Sequence, residues 1–552
     1  MKGRALLLCA SGPLLVFSGQ TIAQEQQMKV VVAQIQKVSD PLQGPFRPFM
    51  EFNVGNQAFR GLLDTGSSDL TVPQAGSPIC NLELQQCNDK GTGFTTGSFD
   101  PKKTEDAAKV QDANVPLNTS FTGGAAFQGE FLKAPFRAAE DSDPVNLQFG
   151  LVQTGNPPSE DSPVFPVIGV GPEQGESTTQ KSPDNTYPNI PAQLQQENVT
   201  KSRAFGVGLG EFGSKQNGTI IFGGYDQAKI DGKMEKISIE KLPDGSQPSF
   251  VINLSSVRMS GTGNDGGNKE TPRGEGNSPE SNGDRRRDQG SHRDSRRRRR
   301  AFSARQARVR RSHPAPRPVY RRAASRSEAE ILRRQRDGNI LTDELPPVVL
   351  IDSGDPGVTL PVGTVKTIAQ GIGAQFSEKD GSVSPVECSR LEGKALTFGM
   401  GNDRAQIKVP LESMVLGPAF DQPPPGASGP GSSGNGGGGN SGQATISRRS
   451  NSTEGGNSRQ GTDGESQGGF RKSGGPKMCQ LTLSAGDPKN PDALNILGAP
   501  AMQRMYIIFD EDSKSLMVAQ AKVNATETDI REFIPGSTGP GGSEDKQKGG
   551  KD

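Results

Sequence analysis

Two short triplets carry the strongest chemical signal in this chain, Asp64-Thr65-Gly66 and Asp352-Ser353-Gly354. Each follows an apolar run, Gly61-Leu62-Leu63 and Val349-Leu350-Ile351, so each Asp is expected at the end of a buried strand. Gly66 and Gly354 lack a Cβ, which lets their N–H groups approach a carboxylate closely. Thr65 and Ser353 supply hydroxyls able to tie one turn to the other. If the turns face each other, Asp64 and Asp352 meet. Two carboxyls in contact do not both ionise readily, so one holds a proton and the other does not. The pair then deprotonates a water while its protonated member polarises a carbonyl, chemistry suited to acid. A single Asp-x-Gly is an ordinary turn. Here both copies lead to an apolar-apolar-Gly segment, Val167-Ile168-Gly169 and Ile496-Leu497-Gly498. The spacings are 105 residues (64 to 169) and 146 residues (352 to 498). Without the 56 residues of 421–476 the second becomes 90, so the chain reads as a weak internal repeat.

Other acid–base and nucleophilic sites lack their parts. The two histidines, His292 and His313, both lie in an arginine-rich block. A Ser-His-Asp site, a Cys-His site and a His-based zinc site in the folded body are excluded, and neither metal nor cofactor is expected. Cys9 belongs to the leader described below. Cys80, Cys87, Cys388 and Cys479 remain, an even number that fits two disulfides in an oxidising compartment.

The elements that must position the triplets read as strands. Val30, Val32, 49–52, 206–209, 219–222 and 250–254 are strand-like, and turns are frequent. Helical periodicity is limited to 190–197 and 365–371. The fold class is therefore all-β. Composition shows that much of the chain is not core: hydrophobic residues are 31%, and 72 Gly with 42 Pro make up about a fifth of it. Two segments of the C-terminal half, about 261–343 and 421–476, are too polar to offset their ordering entropy and are expected to be disordered insertions. The first holds the arginine block. Residues 285–336 contain 20 Arg and four acids, a local charge of +16 within a net charge of +1, so the remainder is acidic.

Residues 1–23 read as a secretory signal: Lys2 and Arg4, an apolar run, then small residues at Thr21-Ile22-Ala23. No stretch is apolar enough to span a bilayer, and no membrane anchor is expected. The product is expected to be secreted, with a vacuole as the other acidic destination. Six Asn-x-Ser/Thr sequons, at Asn118, Asn198, Asn217, Asn253, Asn451 and Asn524, suit a glycoprotein of that route.

Leu62-Leu63-Asp64-Thr65-Gly66-Ser67-Ser68-Asp69-Leu70 resembles the first active-site motif of pepsin-like aspartic peptidases. Ser202 to Phe205 and Gly218 to Asp226 resemble the end of that family's first lobe in its fungal secreted form. Ile496-Leu497-Gly498 through Tyr506 to Asp510 resembles the close of the second. The resemblance covers roughly 46–260 and 344–535. It implies a bilobal fold with a deep cleft and metal-free hydrolysis of internal peptide bonds. Residues 24–45 become a short N-terminal or pro segment, 46–226 the N-terminal lobe, 227–535 the C-terminal lobe and 536–552 a disordered tail. It further implies catalytic Asp64 and Asp352, support from Thr65, Gly66, Ser67, Ser353 and Gly354, a flap carrying Phe121, and the bridges Cys80–Cys87 and Cys388–Cys479. The expected partners are polypeptide substrates, with no nucleic acid, and the state a monomer. Dibasic pairs such as Arg310-Arg311 would let processing divide it into two chains. The arginine block is otherwise a solvated loop or a polyanion-binding segment.

The chain departs from the family pattern at four positions. Asp355 follows Gly354 where the family has Thr or Ser, and an ionised Asp355 cannot donate to the adjacent carboxylate. Phe121 stands for the flap Tyr, Thr71 for a nearby Trp, and Ala499 for an acid. These motivate an alternative, a catalytically impaired homologue that binds peptides.

Overall fold

A computed structural model describes residues 28–40, 44–82, 87, 95–104, 107–109, 115–121, 125–156, 164–180, 182–212, 214, 216–260, 338–415, 420–421, 476–490 and 493–537. Among them strands dominate, in a 14-stranded, a 7-stranded, a 3-stranded and a 2-stranded sheet. The signal segment, the arginine block with both histidines, and most of 421–476 and of the tail lie outside the described residues.

Each Asp triplet closes a strand buried on both faces. Gln57–Asp64 ends in four buried residues, and Val348–Asp352 is buried throughout. Near-continuous apolar runs of this kind suit parallel pairing, which covers both faces of a strand. Gln57–Asp64 runs parallel to Val167–Gly169, with Asp64 opposite Gly169, and Val348–Asp352 runs parallel to Asn495–Gly498, with Asp352 opposite Gly498. In each half the chain then returns antiparallel to the same short strand, as Leu70–Pro73 and as Val358–Leu360. The repeat seen in the sequence is thus a repeat of topology. Its terminal glycines are packing requirements. A Cβ on Gly169 would lie 2.5 Å from the Asp69 carbonyl oxygen, and one on Gly498 would overlap the Gly357 carbonyl.

The large sheet joins the two halves. Phe205–Gly208 pairs antiparallel with Met505–Asp510 on one side and with Gly218–Phe222 on the other. Phe205 stacks on Phe509 with ring centroids 4.9 Å apart, and one buried cluster runs from Leu63 and Ile168 through Phe205 and Phe509 to Ile351 and Leu497.

Helices are few and short. Ile190–Gln196 starts at Asn189, whose side chain accepts the Ala192 N–H, with Pro191 in the first turn. Val362–Ile372 buries Val365, Ile368, Ala369 and Ile372 and stops at Gly373, with φ 70°.

Val31–Asp40, within the short N-terminal or pro segment, is a strand of the large sheet, paired with Gly218–Phe222 and with Gly44–Val54. Its alternation places Val31, Ala33 and Ile35 in the core. Residues 338–343, assigned to the first insertion, join the packed body. Asn339 accepts the Val257 and Leu341 N–H groups, and Leu341 is buried. Their polar composition hid one buried Leu and one satisfied Asn.

Candidate active site

The two turns meet. Thr65 Oγ1 accepts the Ser353 N–H at 2.9 Å and donates to the Ile351 carbonyl at 2.8 Å. Ser353 Oγ accepts the Thr65 N–H at 3.1 Å and donates to the Leu63 carbonyl at 2.7 Å. Both hydroxyls are fully buried, so these four bonds lock the turns across the pseudo-twofold.

The lock sets Asp64 and Asp352, 5% and 7% exposed, side by side, each carboxyl lying against the glycine of the other's turn. Asp64 Oδ1 accepts the Gly66 N–H at 2.8 Å, and its Oδ2 accepts the Ser67 hydroxyl at 2.5 Å. Asp352 Oδ1 accepts the N–H groups of Gly354 at 2.9 Å and Asp355 at 3.2 Å. A Cβ on Gly66 would overlap the Asp352 carboxyl, and one on Gly354 would lie 2.5 Å from Asp64 Oδ1. Only glycine fits at either place. Burial holds the Asp352 carboxyl well above the usual carboxylate range, reinforced by the charges of Asp64 and Asp355. Two donors thus meet each carboxyl, the Gly66 N–H and Ser67 hydroxyl on Asp64 and the Gly354 and Asp355 N–H groups on Asp352.

Asp355 sits beside the pair. Its Oδ1 accepts the Gly357 N–H at 2.7 Å, and its carbonyl accepts the N–H of buried Ala499 at 2.9 Å. Asp352 thus accepts the backbone N–H of Asp355, while the Asp355 carboxyl bonds to Gly357. Phe121 follows the strand Leu117–Ser120, which forms a hairpin with Ala126–Arg137. It is half-buried, edge-on to Phe127 at 5.5 Å between centroids. Thr71 is buried in Leu70–Pro73. The four cysteines form Cys80–Cys87 and Cys388–Cys479.

Two features near the turns were not read from the sequence. Arg47, 6% exposed, donates from Nη1 to the Gly354 carbonyl at 2.8 Å. No spacing rule links it to a turn 307 residues away. Behind the first turn, Asp69 accepts the Tyr187 hydroxyl at 2.6 Å and the Ser177 N–H at 2.9 Å, and Glu176 accepts the Tyr187 N–H at 2.8 Å. Asp69 belongs to the quoted motif, which was the available signal. Its burial pushes its carboxyl up.

Residues 49–268 match the family model described as eukaryotic aspartyl protease. The chain is 30% identical over 218 residues to a probable aspartic-type endopeptidase OPSB of Arthroderma benhamiae, covering 38% of this chain and 39% of that protein. It is 27% identical over 207 residues to secreted aspartic protease 5 of Candida albicans, covering 37% and 44%. The chain spans about two fifths of the length of the curated relatives it matches. An aspartic proteinase structure from Irpex lacteus superposes with a TM-score of 0.49 at 12% identity, covering 90% of this chain and all of that one. Over 49–268 the chain is thus similar to the eukaryotic aspartyl protease family, and the relatives it matches there are fungal proteins named as aspartic proteases.

Proposed function

We propose that this chain is a secreted aspartic endopeptidase that hydrolyses internal peptide bonds in acid through a water held between Asp64 and Asp352. The observation that carries the reading is the pair of buried carboxyls side by side, each cradled by its own Asp-x-Gly turn. The Gly66 N–H and Ser67 hydroxyl both donate to the Asp64 carboxyl, and burial favours the protonated form of Asp352. Asp64 takes a proton from water as the oxygen attacks the scissile carbonyl carbon, and Asp352 gives its proton to the carbonyl oxygen. In the tetrahedral diol that results, Asp64 gives its proton to the amide nitrogen while Asp352 takes one from a diol hydroxyl, which restores the pair. The C–N bond then breaks, and the acid and amine depart. Thr65 and Ser353 brace the turns, and Phe121 lines the flap over an extended peptide. Secretion is supported by the leader pattern, by a relative named as a secreted protease, and by exposed sequons at Asn118, Asn198, Asn217 and Asn524. No described helix is long and apolar enough to cross a membrane. We infer a monomer, open to processing within the arginine block.

A second reading, peptide binding without turnover, is motivated by Asp355, whose carboxyl serves Gly357 instead of supplying the hydroxyl donor of the resemblance. Digestion of a denatured protein at acidic pH separates the two. The wild type should cleave it, and Asp64→Asn and Asp352→Asn should each lose at least about 10²–10⁴-fold. A well-folded wild type with no cleavage removes the hydrolase reading and leaves the binding one.

A further inference from the structure

Arg47 and Asp355 reach the second turn from opposite ends of the sequence. Arg47 lies on Gly44–Val54 and fixes the Gly354 carbonyl, while the N–H of that same residue is given to Asp352. One guanidinium therefore holds the residue that cradles the carboxyl. A guanidinium keeps its charge when buried, and a buried charge requires compensation. Its charge acts on Asp355, the next residue along. Asp355 is half-buried and pinned at three points: its N–H on Asp352 Oδ1, its Oδ1 on the Gly357 N–H, and its carbonyl on the Ala499 N–H.

We propose that Arg47 and Asp355 are a positioning pair for the second half of the site: Arg47 fixes the turn and balances Asp355, and Asp355 keeps the shared proton on Asp352. This rests on the hydrolase reading above. The charged groups acting on Asp355 are Arg47 and Asp64, and those acting on Asp352 are Asp64 and Asp355. Burial pushes Asp355 up, with Asp64 adding to it, and Arg47 pulls it down. Asp355 in turn pushes Asp352 up. Removing the Asp355 charge should therefore let Asp352 lose its proton at lower pH. Removing the Arg47 charge leaves Asp355 protonated to higher pH, which withdraws the same charge from Asp352 and should also let its proton leave earlier.

The pH profile of kcat/KM on a peptide substrate tests the pair. The alkaline limb of Asp355→Thr should fall by about 0.5–1 pH unit, and that of Arg47→Met should fall too, by no more than that. The Arg47→Met/Asp355→Thr double variant should stay within about 0.3 unit of Asp355→Thr, because Arg47 acts through Asp355. Arg47→Lys, which keeps charge without the planar fork, should keep the wild-type limb with a lower kcat. Limbs that stay put while only kcat or KM changes overturn the proposal and leave a structural role. If Arg47→Met does not fold, Asp355→Thr and Arg47→Lys decide by the same criteria. If the wild type has no turnover that Asp64→Asn abolishes, the hydrolase reading is what has failed. Carboxyl ¹³C titration of Asp352 then decides the pair alone: a downward shift in Asp355→Thr supports it, and an unmoved titration overturns it.

Discussion

Each hydroxyl of the locked turns serves two backbone groups that have no water to turn to. Thr65 Oγ1 satisfies the Ser353 N–H and the Ile351 carbonyl, and Ser353 Oγ does the same for the Thr65 N–H and the Leu63 carbonyl. Thr65→Ala leaves a buried donor and a buried acceptor unpaired and opens a methyl-sized gap. The expected loss is about 2–4 kcal/mol of unfolding free energy, read from denaturant titration. Thr65→Ser keeps the hydroxyl and should stay within about 1 kcal/mol of wild type. Equal losses in the two variants would show that the methyl, not the bonding, matters. The hydroxyls at the turns were legible because residue type and position announce what they can do. Arg47 was not. An arginine between two prolines on a strand says nothing about a carbonyl far along the chain until the sheet brings them together. Asp355 was legible as an oddity, but its bond to Gly357 was not, because a turn carboxylate has several backbone N–H groups within reach.

At the scale of elements, the all-β reading stands on strand-length apolar runs, and the two periodic windows became the helices Ile190–Gln196 and Val362–Ile372. Their ends were set by an Asn cap and a glycine stop, which periodicity alone does not register. Val31–Asp40 was legible only as a strand-like start at Val30 and Val32, because its length and its partners at 218–222 depend on pairings distant in sequence. The two bridges differ in what they hold. Cys80–Cys87 closes a separation of 7 residues, and Cys388–Cys479 one of 91. Chain entropy in the unfolded state then assigns about 2 kcal/mol to the first and about 4–5 kcal/mol to the second. The second also anchors Val386–Glu387 to Lys477–Cys479, where the chain rejoins the body after its long Gly- and Ser-rich segment. Paired Cys→Ala variants should reproduce that order in chemical denaturation. A larger loss from Cys80–Cys87 would mean that local packing, with both its sulfurs in a buried cluster, outweighs loop closure.

Across the whole molecule, the seam between 173–203 and 510–515 carries an unusual charge arrangement. Arg203 donates to Asp512 at 2.8 Å and to Glu173 at 3.2 Å, tying the first half to the C-terminal strands. Beneath it lie Glu511 and Glu176, each 1% exposed. Burial pushes Glu511 up to about 8 against the pull of Lys514 and Arg203, and pushes Glu176 up to about 10, with Asp69 and Glu173 adding to it. Their ordinary value is 4.5, so over this range the folded chain keeps protons that the unfolded chain has released. Raised folded values mean that the stability these groups contribute is complete below pH 4.5. It is lost as pH climbs to about 8 for Glu511 and about 10 for Glu176. Each group removes up to about 1.4 kcal/mol per pH unit within its window. These two groups therefore contribute their full stability in the acid where the proposed chemistry runs. Glu511→Gln keeps the shape and cannot ionise. Its unfolding free energy should fall less steeply than wild type between pH 5 and 7, by about one proton's worth of slope. A Glu511→Gln slope equal to wild type would mean that Glu511 ionises in the folded state without cost, and would place the alkaline sensitivity elsewhere.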